Sequence, residues 1–302
     1  MATTLDSQWP SAATLLHSRV VPDRKNVALL GVSTYATSLS QRSSISTPEA
    51  IRRALQRYST WSFLDRVDLA SCVAIVDYGD VADPDDDGEF ERVAALLSSV
   101  AEVVNLTLVL GGDNAATWHT LRALAAGNFE KYGLITLDAH LDLREGRSNG
   151  SPVRQLLEDG LDARHVVQVG LGDFSNSAPY AQRALDAGVT VIDRDAFRHE
   201  DVTAIAQRAL HVAGAGGRMI YVDIDLDVCD RSVVPGCPAA APGGLSADEV
   251  RCFVREVASS VKVTAIDFTE IDVEQDSPDE RTVRLAALLV LEALAGVQRR
   301  TS

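Results

Sequence analysis

The chain has 302 residues, 46% of them hydrophobic and 24% charged, which is ample material for a large core and argues against disorder. Its 28 Lys and Arg face 43 Asp and Glu, and a net charge of −15 repels nucleic acid and anionic lipid, so neither is expected as a partner. Four cysteines (Cys72, Cys229, Cys237 and Cys252) lack CxxC spacing and are too sparse for a disulfide framework, which predicts a reducing, cytoplasmic setting.

Residues 1–24 read as an N-terminal extension, with no basic segment and apolar run to make a leader of Met1–Pro10. From there, short apolar runs alternate with stretches of helical period, the pattern of a parallel sheet covered by helices on both faces. Strands are predicted at 26–32, 72–77, 106–110, 133–138, 165–170, 189–193, 218–224 and 261–267. Helices are predicted at 48–58, 89–104, 115–126, 152–159, 177–187, 201–212, 246–259 and 280–297, the first opened by a capping Thr47 hydroxyl and Pro48. The apolar stretch Leu285–Val297 is broken by Glu292 and too short to span a bilayer. No repeat or linker divides the chain, so one domain over 1–302 is expected. The irregular segments are 80–88, 144–151 and 231–244, and two of them follow acidic runs at strand ends, where open α/β sheets bind ligands.

Those runs are Asp138-Ala139-His140-Leu141-Asp142 and Asp223-Ile224-Asp225-Leu226-Asp227. In an extended chain residues two apart share a face, so each run can converge its acids on one point. Carboxylates gathered that closely repel unless a cation sits among them. Oxygen-rich ligation with one imidazole favours manganese ahead of magnesium or zinc, and this many ligands suits two ions and metal-assisted hydrolysis. Gly111-Gly112-Asp113-Asn114 closes another strand; its glycines permit a sharp turn that presents Asn114, though alone it reads equally as a helix-capping turn.

Together these segments resemble the arginase/agmatinase/formimidoylglutamase (ureohydrolase) family. Leu29, Gly31 and Val32, then 47–54, Gly111–Asn114, Asp138–Asp142, Asp225–Asp230, Pro242-Gly243-Gly244-Leu245 and Asp267–Glu270 fall in the family's order across 26–297. The resemblance implies an arginase-like three-layer α/β/α fold with a central eight-stranded parallel sheet, two manganese ions per subunit, a small amidine or guanidine substrate and a homo-oligomer. It carries the metal-ligand role onto Asp138, His140, Asp142, Asp225 and Asp227, with Asp230 completing the later motif and Asp223 where many relatives have serine or threonine. A register using Asp223 and Asp225 would put Val228 where the motif needs Asp230. Asn114 occupies the place of a metal-binding histidine; its amide oxygen is a neutral, weaker ligand, so one ion is expected to bind loosely. Arg231 replaces the usual proline.

The asparagine at 114 and the loop Ser148-Asn149-Gly150-Ser151-Pro152-Val153-Arg154 resemble the formimidoylglutamase branch. There Asn149 and Ser151 are expected to donate hydrogen bonds to substrate, and Arg154 to pair with a carboxylate. Glu270 aligns with the glutamate that holds the cationic amidine or guanidine, and Asp142 is the candidate proton shuttle. The implied reaction is hydrolysis of N-formimidoyl-L-glutamate to L-glutamate and formamide, with a metal-bridging hydroxide attacking the amidine carbon. Rival readings are a guanidine ureohydrolase (agmatinase, guanidinobutyrase or arginase) and a metal-poor binding homologue, the latter suggested by Asn114. His17, His119, His165, His199 and His211 have no such neighbours and are expected to be structural.

Overall fold

Runs rich in Val, Ile and Leu, too short for helices, pair into one sheet because their branched side chains pack best on a pleated surface buried on both faces. The computed structural model describes residues 6, 8–40, 47–85, 88–100 and 102–301; residues 1–5 and 7 of the expected extension, and 86–87 of the irregular 80–88 segment, lie outside them. In chain order the strands are β1 (Leu16–His17), β2 (Lys25–Val32), β3 (Trp61–Ser62), β4 (Val67–Asp68), β5 (Val73–Asp80), β6 (Val104–Gly111), β7 (Tyr132–Leu137), β8 (Val166–Leu171), β9 (Thr190–Asp193), β10 (Met219–Asp225) and β11 (Val263–Thr269). The helices are α1 (Thr47–Ala54), α2 (Glu89–Ser98), α3 (Ala115–Ala125), α4 (Pro152–Glu158), α5 (Ala178–Ala187), α6 (Val202–Ala213), α7 (Ala247–Ser259) and α8 (Arg281–Arg299).

The main sheet has nine strands in the order β1-β5-β2-β6-β11-β10-β7-β8-β9, all paired in parallel, while β3 and β4 form a separate antiparallel pair. All eight expected strands are present. The ninth, β1, comes from the supposed extension and adds to β5; two residues carry no periodicity by which a sequence could announce them.

Alternating strand residues feed opposite layers. Ile135, Leu137, Val222 and Ile224 join the core that contains Ile51 of α1, Ile205 of α6, Phe253 of α7 and Leu289 of α8. Leu134 and Tyr221 point the other way, toward Trp118 and Leu121 of α3 and Leu156 of α4. A third cluster under α2 holds Leu30, Val93 and Val109. This is the expected three-layer α/β/α arrangement.

Two local departures have physical causes. α2 stops at Ser98, short of 104, where the Ser98 and Ser99 hydroxyls turn back onto the Ala95 and Leu96 carbonyls and β6 begins at Val104. The Thr47 hydroxyl, expected to cap α1, donates instead to the Ile271 carbonyl at 3.0 Å, tying that helix to the loop after β11. Glu292 in α8 is buried, held by Arg251 and Arg255 of α7. Among the described residues no helix is long and apolar enough to cross a membrane.

β6, β11, β10 and β7 are consecutive in the sheet. Their carboxyl ends therefore bring 112–114, Glu270, 225–227 and 138–142 to one edge, although these residues span most of the sequence.

Candidate metal centre

Each strand end is locally constrained. Gly112 lies so close to the 33–34 backbone that an added Cβ would sit 2.2 Å from the Thr34 carbonyl oxygen, so only glycine lets β6 turn there. Buried Asp113 then accepts from the Thr34 hydroxyl at 2.7 Å and from the Ala115 amide at 3.1 Å, which fixes the start of α3. Asp142 and Glu270 hold left-handed backbones, with φ of 52° and 59°, an arrangement that costs side-chain-bearing residues of order 1–3 kcal/mol and is commonest at functional sites.

Asp138, His140 and Asp227 present one ligand atom each within 4.8 Å of one another. His140 Nδ1 is 2.7 Å from Asp227 Oδ2 and 3.5 Å from Asp138 Oδ1. Backbone amides set the acids: His140 N–H donates to Asp138 at 2.6 Å, Ala139 N–H to Asp227 at 3.2 Å and Asp227 N–H to Asp225 at 2.8 Å. Asp138, Asp142, Asp225 and Asp227 are all buried. Asp142, Asp225, Asp227, His140, Asn149 and Glu270 line one cleft of about 140 Å³, with Arg144, Leu39, Ser40, Gly150 and Ala239 completing its wall. Asp223 and Asp230 are not among its lining. Asp230 instead accepts from Ser232 and Gly243 and pins the 231–243 loop, which Arg231 staples through the Cys237 and Pro238 carbonyls.

The electrostatics fit a cation. Burial and then the neighbouring acids push Asp138 and Asp225 well above the usual carboxylate range, and burial carries Asp142 to about 7. Burial would likewise raise Asp227, but the His140 hydrogen bond outweighs it and holds Asp227 low. His140 reverses the pattern: burial pulls it down, while the bond to Asp227 and the surrounding negative charge carry it up to about 9. Asp138 Oδ2 is buried without a hydrogen-bond partner, an orphaned acceptor inside a ring of acids. A hard divalent cation satisfies both the repulsion and the orphan.

Glu270 Oε1 accepts from the Asn114 amide N–H at 3.0 Å and from Asn149 Nδ2 at 2.8 Å, so the expected amidine-holding carboxylate and one expected substrate contact meet. The other expected site residues, Asn114, Ser151 and Arg154, are engaged within the chain. The Asn114 side-chain oxygen faces the hydroxyls of Thr117 (2.8 Å) and Thr269 (3.2 Å), and its NH2 donates to Asp142 Oδ2. In this arrangement the NH2 of Asn114 orients a carboxylate while its oxygen is shared by two hydroxyls. Ser151 is fully buried: its hydroxyl accepts from Ser148 N–H at 2.9 Å and donates to the Ser148 carbonyl at 2.8 Å, closing the loop rather than meeting substrate. Arg154 turns away from the cleft to the Arg144 carbonyl at 2.7 Å, the Gly146 carbonyl and Glu158, because α4 points it along its own first turns.

Some site residues gave no sequence signal. Thr117 and Tyr221 sit beneath Asn114, where Tyr221 donates to Asp267 Oδ2 at 2.6 Å. Asn176 anchors the acidic run, accepting from Leu141 N–H at 2.8 Å and donating to the Ala139 carbonyl at 2.9 Å. Each is an ordinary polar residue, and Tyr221 and Asn176 lie tens of positions from the groups they hold; Arg144, two residues past Asp142 in the loop after the acidic run, stands beside a motif that marks it.

Residues 25–296 match the model of the arginase family. The chain is 33% identical over 290 residues to the formimidoylglutamase of Bacillus subtilis (strain 168), covering 91% of this chain and 88% of that protein. It is 33% identical over 277 residues to the formimidoylglutamase of Halalkalibacterium halodurans, covering 89% and 86%. The crystal structure of the B. subtilis formimidoylglutamase superposes with a TM-score of 0.89 at 30% identity, over 99% of this chain and 95% of that one. A Trypanosoma cruzi formiminoglutamase with Mn2+ has a TM-score of 0.85 at 22% identity over 97% and 100%, a likeness of fold.

Proposed function

The chain belongs to the arginase family, and from that membership we propose that it is a formimidoylglutamase, hydrolysing N-formimidoyl-L-glutamate to L-glutamate and formamide in histidine breakdown. The observation that carries this reading is the joint presence, in one cleft, of buried acids with His140 and of Glu270 held by Asn114 and Asn149.

Asp138, His140, Asp142, Asp225 and Asp227 would hold two manganese ions. Bound there, the ions supply Lewis acidity and make water a nucleophile near neutral pH. Glu270, its Oε1 fixed by two N–H donors, is set to accept a charge-assisted hydrogen bond from the amidinium and to hold the formimino carbon still. Water oxygen adds to that carbon, the bond from carbon to the glutamate nitrogen breaks, and the nitrogen must leave as a protonated amine. Asp142, steadied by the Asn114 amide, is the carboxylate best placed to carry that proton. Asn149 lies on the cleft wall where substrate enters.

The same reading takes 1–302 as one catalytic domain, supported by a single sheet running from Leu16 to Thr269. Four unpaired cysteines support a cytoplasmic setting, and the family resemblance supports a homo-oligomer. The deciding experiment is a turnover screen of the manganese-loaded enzyme with formimidoylglutamate, agmatine, guanidinobutyrate and arginine. Formamide from the first is expected; urea from a guanidine instead would reassign the substrate, and no product from any would leave a binding role.

A further inference from the structure

Beside the metal-centre cleft lies a second chamber of about 210 Å³, which shares His140, Asp142, Arg144 and Gly150 with it and adds Ser175, Asn176, Ser177 and Tyr180. Among the residues lining either space, Arg144 is the one arginine or lysine; every other charged group there except His140 is an acid.

The loop after the acidic run and the first turn of α4 carry three arginines, and two are committed. Arg147 pairs with Glu89 at 3.0 Å and stacks over Trp118 at 5.0 Å. Arg154 is spent on the Arg144 and Gly146 carbonyls and on Glu158. Among the described residues the Arg144 guanidinium makes no hydrogen bond or ion pair, although its backbone is pinned by a 3.0 Å bond from its N–H to the Gly150 carbonyl. Its stem lies over Gly150, where an added Cβ would come within 2.8 Å of Arg144 Cδ. Glycine at 150 thus keeps the floor clear for this side chain.

We propose that Arg144 is the specificity-determining residue of this enzyme: it takes a carboxylate of the substrate's glutamate end, which occupies the chamber beside the metal centre. This rests on the amidine-hydrolase reading above and names the group that selects its substrate. With the acids of the cleft and the proposed manganese ions largely offsetting one another, a substrate carboxylate that leaves water still needs its own counter-charge, and the planar Arg144 guanidinium offers a bidentate fork for that purpose. The same arginine repels a cationic tail, which disfavours agmatine-like substrates.

The test compares N-formimidoyl-L-glutamate with N-propylformamidine, an amidine without carboxylates, on the manganese-loaded full chain. In Arg144→Gln the ratio of kcat/KM for the two should fall roughly 30- to 100-fold, the loss of one charge-assisted contact, mainly through KM. Arg144→Lys keeps the stem over Gly150 and a charge, so it should restore part of the ratio, which a packing defect would not allow. A ratio equal to wild type in Arg144→Gln overturns the assignment. L-Glutamate binding by calorimetry gives an independent arm: weaker binding to Arg144→Gln supports the role and equal binding overturns it. If wild type releases formamide from neither amidine, the hydrolase reading fails, while the calorimetric comparison still judges the arginine.

Discussion

Asn114 sends its groups in three directions: the backbone N–H to Glu270, the NH2 to Asp142, and the oxygen toward Thr117 and Thr269. One residue thereby aligns the carboxylate proposed to hold the amidinium and the one proposed to carry the proton. An imidazole would exchange this orienting role for ligation, since nitrogen donors bind first-row divalent ions more strongly than a neutral amide. Asn114→His should therefore retain manganese about tenfold more tightly, measured as metal per chain after dialysis against graded free Mn2+. Unchanged or weaker retention would mean that the site is too far from position 114 for a ligand there to matter. The residue scale is also where residue type says least about direction. Arg154 and Ser151 have the right chemistry for substrate contacts, but helix direction and a local Ser148–Ser151 closure decide where they face, and neither is written in residue type. Asp138 and His140, by contrast, come together as their spacing implies.

At the scale of elements, α3 couples the site to its surroundings. His119 is buried in it, edge-on to Trp118 at 4.9 Å and 4.0 Å from Glu89 of α2, with Arg147 of the loop after the first acidic run nearby. Burial first, then the charge of Arg147, lowers its pKa to about 4 from the ordinary 6.5. The unfolded chain binds this proton more readily than the folded one, so His119 costs stability progressively as pH falls from about 6.5 to about 4 and nothing above that window. His119→Gln should remove this part of the slope, on the order of 2–3 kcal/mol between pH 7 and 4.5. Urea unfolding of both proteins with EDTA present throughout, so that metal loss does not enter, checks it; parallel pH profiles would show that the histidine does not contribute. All eight long strands and eight helices were legible because burial imposes a period on them. β1, the β3–β4 pair and the early end of α2 were not, because two-residue pairings and serine back-bonding leave no period to read.

For the whole molecule, whose net charge is −15, six of the acids, Asp138, Asp142, Asp223, Asp225, Asp227 and Glu270, lie buried at one edge of the sheet. A cation that binds only the folded state stabilises it by mass action, about 2.7 kcal/mol at free manganese near 100 times Kd. Chelation should then lower Tm by roughly 4 °C for each such ion, reversed by adding Mn2+ in excess of the chelator. A calorimetric scan that does not move would indicate that the acids are accommodated by protonation alone.

The order of strands in the sheet also fixes when the centre can exist during synthesis. β6 and β7 leave the ribosome early, yet the strands that lie between them in space, β10 and β11, are the last two made. A nascent chain that has reached residue 200 holds only Asp138, His140 and Asp142 of the proposed ligands, all just beyond the end of β7, whose neighbour β10 is not yet made. On the proposed metal reading, loading is accordingly expected late, set by the insertion of the final two strands into the middle of a sheet whose flanks are already translated.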